Sequence, residues 1–147
     1  MKTIEHCRSS HAELRDMIGD LRPLLSMEKL RNLTNARTTH ELLCDLRERL
    51  QRHLDEEDRQ LYPSLLMQDD PKAQSVAWGF ISSERPLRMM FDNYHQEWLK
   101  NGDCNFCDTF VSETQQVCDM VTMRLDHEAQ VLFPQMVEIS NHRNGRT

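Results

Sequence analysis

The sequence predicts an all-α protein, an antiparallel up-down four-helix bundle. Three observations predict it. Apolar residues recur at alternating steps of three and four in four separate runs, the period of helices that each bury one stripe. No alternating run of β-branched residues is long enough to make a strand. The composition, 38% apolar and 29% charged with four glycines and five prolines in 147 residues, suits one folded helical domain and excludes low-complexity and disordered classes.

The first run places Ile4, Cys7, His11, Leu14, Ile18, Leu21 and Leu25 on one face, with Pro23 off the stripe where it kinks or ends the helix. A polar stretch from Asn32 to Thr39 reads as a connection. The second run carries Leu43, Leu46, Leu50, His53, Glu57 and Leu61, and Tyr62-Pro63 is expected to close it. Asp70-Pro71 is an N-cap and first-turn proline signal for the third, which aims Ala77, Phe80, Glu84, Leu87, Phe91, Tyr94 and Trp98 inward and is expected to kink at Pro86. Asn101-Gly102-Asp103 stops it. The fourth run holds Phe110, Thr114, Val117, Val121, Arg124, Glu128 and Val131, and its Leu132-Phe133-Pro134 repeats Leu61-Tyr62-Pro63 at an offset of 71, which sets His53 on Arg124 and Glu57 on Glu128. The chain therefore reads as a duplicated hairpin, with the bundle at 1–139 and a frayed tail at 140–147.

Charge removes several function classes. Eighteen Lys and Arg against 24 Asp and Glu leave a net charge of −6, without the basic excess that nucleic acid demands. The longest apolar stretches are far shorter than the roughly 20 residues a membrane-spanning helix needs. Glu5 and His6 stand where a signal peptide would be apolar, and five cysteines, an odd count, suit reduced thiols, so a cytoplasmic location is expected. No serine elbow, phosphate loop or dinucleotide fingerprint is present, and the protein is expected not to be an enzyme.

Six polar side chains fall where a bundle wants leucine: His11, His53, Glu57, Glu84, Arg124 and Glu128. Burying charge costs several kcal/mol per group unless it is paired or metal-bound. Measured along the helices from the connecting turns, His53, Glu84 and Arg124 reach similar heights, whereas His95 lies roughly 20 Å from that layer. His53/Glu57 and Arg124/Glu128 are i, i+4 pairs, a spacing that lets both side chains ligate together, and a His plus carboxylate set suits iron, zinc or manganese. Three glutamates and one arginine give the layer −2, which one divalent metal cancels, or which two protonated histidines cancel without metal. Two ferric ions overshoot unless oxide or hydroxide comes with them, so one ion or none is expected.

These residues resemble the hemerythrin-like, or HHE cation-binding, family. The resemblance runs from His11-Ala12-Glu13-Leu14-Arg15 through His53 to Pro63 and on to Glu128 and Leu132-Phe133-Pro134. It implies a four-helix bundle holding two irons through histidines from all four helices and carboxylates four residues after a histidine. On that pattern His11, His53, Glu57 and Glu128 match ligand positions. Arg124 stands where the last helix has a histidine, Glu84 stands where the third has one, and His127 maps onto Glu56 off the inward face. Those departures argue against reversible dioxygen binding and make Arg124 a charge-compensating residue. A shorter likeness, to bacterial anti-sigma proteins of the regulator-of-sigma-D type, rests on Arg124 with Glu128, on His53 and on the Asn101 to Cys104 turn.

The expected function is regulatory or sensing, through a degenerate iron-class site. The alternative is a metal-free regulator that binds a signalling or transcription protein. An oxygen or metal store ranks last. Cys104 and Cys107 form a lone C-x-x-C, a weak redox or metal signal without a second pair. Cys7, Cys44 and Cys118 read as small core residues. Met89, Met90, Met120 and Met123 are expected to fill the core, with an adaptable partner surface as the other reading.

Overall fold

The computed structural model describes residues 2–143, and every element among them is helical. Helix α1 spans Lys2–Leu21 and ends in a 3-10 turn, Arg22–Leu24, that contains Pro23. Ser26 caps the short α2, Met27–Leu30, by accepting from the Lys29 amide. Asn32 then caps α3, Leu33–Glu56, by accepting from Asn35 N–H at 3.1 Å. The stretch 32–39 is thus the first turns of a helix and not a connection. Asn32 supplies the start signal, the Thr39 hydroxyl bonds back to Asn35 O, and Ala36 and Thr39 are small enough to pack fully buried.

Nor does Tyr62-Pro63 close the second run. A single π turn, Glu57–Leu61, carries the helix past the proline into α4, Tyr62–Leu66. The same happens in the last rod, where α6, Asp108–His127, passes through a π turn at Glu128–Leu132 into α7, Phe133–Arg143. Proline has no N–H, and its ring crowds the carbonyl four residues back. An extra residue in the preceding turn relieves both problems. It also shifts the register, so Leu132 and Phe133 are buried while Val131, expected on the stripe, is only half-buried. Helix α7 runs four residues beyond the expected boundary at 139, and 144–147 lie outside the described residues.

Between these rods lies α5, Pro71–Trp98, capped by Asp70 and continuous through Pro86. The connection after it turns at Gly102 (φ +66°) and at Cys104 (φ +57°), and His40 of α3 donates to Leu99 O at 2.8 Å to close that helix end. The five cysteines are free thiols, with Cys7 and Cys118 in the core and Cys107 exposed at the N-cap position of α6. No helix among the described residues is long and apolar enough to cross a membrane.

The core is two apolar clusters separated by a polar layer. One, toward the α5–α6 connection, holds Leu14, Ile18, Leu43, Leu50, Phe91, Tyr94, Phe110 and Val121. The other holds Ile4, Cys7, Leu61, Tyr62, Leu65, Phe80, Leu132 and Phe133. All six polar residues of the inward stripes fall between them and are buried. The aromatic ladder of α5 packs as expected: Tyr94 and Trp98 meet Phe110, which Phe106 covers with its ring centroid 3.7 Å away.

The methionines correct an expectation. Met89, Met120 and Met123 are exposed, Met123 at 71%, and Met90 is half-buried, because Leu87, Val121 and Arg124 take the inward positions beside them. They flank a cleft between α5 and α6. One cavity of about 360 Å3 is lined by Met90, Tyr94, Val117 and Met120, and a second of about 300 Å3 by Pro86, Met120, Met123 and Arg124.

Phe110→Ala is expected to destabilise the fold by about 3–5 kcal/mol in urea unfolding. It should leave any metal content unchanged, because Phe110 lies fourteen residues, roughly 21 Å along the helix, from Arg124.

Candidate metal centre

Four buried charged side chains meet in the polar layer. His53 and Glu57 come from α3 and its π turn, Arg124 and Glu128 from α6 and its π turn. His53 donates from Nε2 to Glu128 Oε1 at 2.8 Å and lies 3.3 Å from Glu57 Oε2, while its Nδ1 donates to Ser10 Oγ at 3.0 Å. Arg124 uses all five of its N–H groups. Nε donates to Glu128 Oε2 (3.0 Å). Nη1 donates to Phe80 O (3.0 Å) and Ser83 Oγ (2.8 Å). Nη2 donates to Tyr62 Oη (2.5 Å) and Glu57 Oε1 (3.4 Å). Its guanidinium also lies over the Phe80 ring, 4.9 Å from the centroid.

The two cations thus alternate with the two carboxylates, and each cation touches both. The halves are related by offset. Ser10 supports His53 as Ser83 supports Arg124, an offset of 73 between α1 and α5 that also pairs Cys7 with Phe80, His11 with Glu84 and Leu14 with Leu87. Together with the offset of 71 between α3 and α6, this sets equivalent positions of the two halves around the same layer.

His53, Glu57 and Glu128 each offer a ligand atom within 4.8 Å of the others. His11 and Glu84 are buried in the same layer but stay outside that group. The His11 Nε2–H donates to Leu125 O at 2.6 Å, and its ring packs edge-on against Phe133. Burial holds His11 below the usual imidazole range. Glu84 accepts from Arg88 Nε at 2.8 Å, and Arg88 reaches on to Asp55 at 2.9 Å. Burial, with Asp58 alongside, pushes Glu84 up to about 7. His127 stacks on Phe80, away from the group.

With Glu84 paired to Arg88 and outside the group, the charge to be balanced changes. Glu57, Glu128 and Arg124 sum to −1, not −2, and one proton on His53 brings the set to zero. Burial opposes that proton, but the Glu128 and Glu57 carboxylates outweigh it and push His53 up to about 10. Glu57 is pushed up to about 7 by burial and by the neighbouring Glu128 charge. Burial acts the same way on Glu128, yet His53 and Arg124 hold it below the usual carboxylate range. Burial and the Glu57 charge push the Cys7 thiol up to about 12, so it stays protonated beside the site.

One atom in this network is left over. Glu57 Oε2 is buried without a hydrogen-bond partner, and it faces the same space as Glu128 Oε1 and His53 Nε2. An imidazole nitrogen with two carboxylate oxygens is a donor set for one ion of the iron, zinc or manganese class, taken up in exchange for the His53 proton. The residues present fit one such ion. They do not fit two, because the Arg124 guanidinium fills the other side of both carboxylates.

A bundle of four antiparallel helical rods with a buried histidine–carboxylate group at mid-height defines a cation-binding helical protein. This chain belongs to the hemerythrin family: the family model of the hemerythrin HHE cation binding domain, whose members bind metal ions and commonly iron, matches residues 2–136. No curated protein and no solved structure matches it. The residues that sequence reasoning missed are Tyr62, Ser10 and Ser83. The offset of 73 was a usable signal for the serines, and nothing in the sequence marked Tyr62 beyond its place before Pro63.

Two outcomes follow. Arg124→Ala should destabilise the protein by about 3–5 kcal/mol by leaving two buried carboxylates with His53 as their one cation, against under about 1 kcal/mol for Arg49→Ala at the surface, both read by urea unfolding. In metal-free protein, a histidine raised from 6.5 to about 10 contributes stability that is complete below pH 6.5 and lost as pH rises through about 10. The denaturation midpoint should therefore fall across that window, and His53→Gln should flatten the fall. A wild-type profile already flat there means that His53 is neutral in the fold.

Proposed function

We propose that this chain is a regulatory or sensing member of the hemerythrin family that holds a single iron-class ion on His53, Glu57 and Glu128, with Arg124 as a fixed charge in place of further metal. The observation that carries the reading is the bare, buried Glu57 Oε2 beside His53 Nε2 and Glu128 Oε1. A bound ion of this class supplies a redox-active or ligand-exchanging centre. His53 gives up its Nε2 proton when that nitrogen becomes a ligand, and the layer's charge moves from zero to +1 with a divalent ion. Because the layer touches all four rods, that change of charge is sensed across the bundle. The protein acts by binding and not by turnover, and neither its net charge of −6 nor the described residues favour nucleic acid or membrane.

A second reading is favoured by a separate observation. The quartet sums to zero without metal, and exposed Met120 and Met123 border the cleft that ends at Arg124. Methionine-rich surfaces adapt to protein partners. On this reading the polar layer sets the register of the helices, and the output is capture of a signalling or transcription protein.

Metal content decides between them. Protein purified without chelator or histidine tag and reloaded anaerobically with ferrous iron should carry one ion per chain, lost in His53→Ala, and its melting temperature should rise with added metal. Arg124→His should raise the content toward two. A metal-free protein that neither iron nor zinc stabilises would sink the single-ion reading.

A further inference from the structure

Glu57 and Glu128 are offset-related, yet their two oxygens are held unequally. Glu128 has one donor on each oxygen: Arg124 Nε on Oε2 and His53 Nε2 on Oε1. Glu57 has two donors on Oε1, the Tyr62 hydroxyl at 3.2 Å and Arg124 Nη2 at 3.4 Å, and no hydrogen bond on Oε2, which faces His53 Nε2 at 3.3 Å while that nitrogen's proton goes to Glu128. The Tyr62 hydroxyl is fully committed, since it accepts from Arg124 Nη2 and spends its only proton on Glu57. Its offset mate in the other half is Phe133, which has no hydroxyl. The phenol therefore exists only in the half whose carboxylate ends up with a bare oxygen.

Resting on the single-ion reading above, we propose that Tyr62 is a positioning residue: with Arg124 it pins Oε1 of Glu57 and so turns Oε2 alone toward His53 Nε2 and Glu128 Oε1. Two donors on one oxygen fix the carboxylate plane. A carboxylate so held would offer an ion one oxygen and not both, with His53 and Glu128 each offering one further atom. Without the hydroxyl, Arg124 keeps only its longest bond to Glu57, and the carboxylate is free to turn. Packing does not explain the phenol. Phenylalanine fits the matching place in the other half, and Tyr62 is 2% exposed among apolar neighbours that need no hydroxyl.

Tyr62→Phe removes the hydroxyl and keeps the ring. Co(II) serves as the metal probe, and the visible absorption of the bound ion reports its ligand set. The variant should bind Co(II) about tenfold or more weakly than wild type, with altered visible bands. In metal-free protein, Tyr62→Phe and Glu57→Gln should be coupled. Their joint shift of the urea unfolding equilibrium should be smaller than the product of the single shifts by about fivefold or more. Independent effects on unfolding, or an unchanged Co(II) affinity and spectrum, overturn the proposal. If wild type takes up no Co(II) while the coupling is present, Tyr62 still pins Glu57 and the single-ion reading is what fails.

Discussion

Two carboxylates, Glu57 and Glu128, face each other in the middle of the bundle with no exposed surface, and the Arg124 guanidinium lies against both. Each buried carboxylate costs several kcal/mol in desolvation, and only a cation whose remaining donors are also satisfied offsets that cost. Arg124 meets the condition because every one of its N–H groups has an acceptor. Much of the surrounding structure serves this single requirement. Ser83 and the Phe80 carbonyl take the Nη1 protons, Tyr62 takes one of the Nη2 protons, and the Phe80 ring covers the guanidinium face. Sliding the α3 or α6 rod by one turn would put a charge into one of the two apolar clusters, so the layer also fixes the vertical register of those helices.

The near-symmetry of the two halves shows how the site departs from a repeated plan. Both π turns begin at the site glutamate and end before an aromatic-proline pair, and in each half a serine of the neighbouring rod, Ser10 of α1 or Ser83 of α5, meets the basic group of the layer. Four differences bear on the layer: His53 against Arg124, Tyr62 against Phe133, His11 against Glu84, and Cys7 against Phe80. Three of them belong together. Arginine replaces an imidazole, a phenol appears where Arg124 needs an acceptor, and Phe80 supplies the ring beneath the guanidinium. The fourth stays in the layer but outside the quartet, because Glu84 finds Arg88 one turn along its own helix. The His53 half keeps its ligand chemistry while the Arg124 half is sealed.

Charge makes the centre responsive. Arg124 is held firmly protonated by its neighbours, whereas His53 and Glu57 are both raised, so the exchangeable proton sits on the His53 side where the bare oxygen is. An ion held by His53 would have to displace that proton. The cleft between α5 and α6, with Met120 and Met123 at its rim, includes Arg124 in its lining, whereas His53, Glu57 and Glu128 do not line it.

The bundle, the four inward stripes and all six polar positions on them were legible in the sequence, because helical period alone decides which residues face the core. So was the offset between α3 and α6. Period carries no direction within the buried layer, and this is where the sequence stopped: His11 and Glu84 are as buried as expected, yet Leu125 O and Arg88 turn them away from the ligand group. The π turns were illegible because Tyr62-Pro63 and Phe133-Pro134 read as stops, and only packing on both sides of the proline keeps such a helix going. The methionines beside Val121 and Arg124 were misplaced for a similar reason, since a one-residue step on a helix separates core from surface. By itself the sequence determined that charge had to be buried at one height, which is a matter of spacing. Which charges pair, which proton is exchangeable and which carboxylate oxygen is bare were decided by the tertiary structure, because those depend on distances of about an ångström between side chains from different helices.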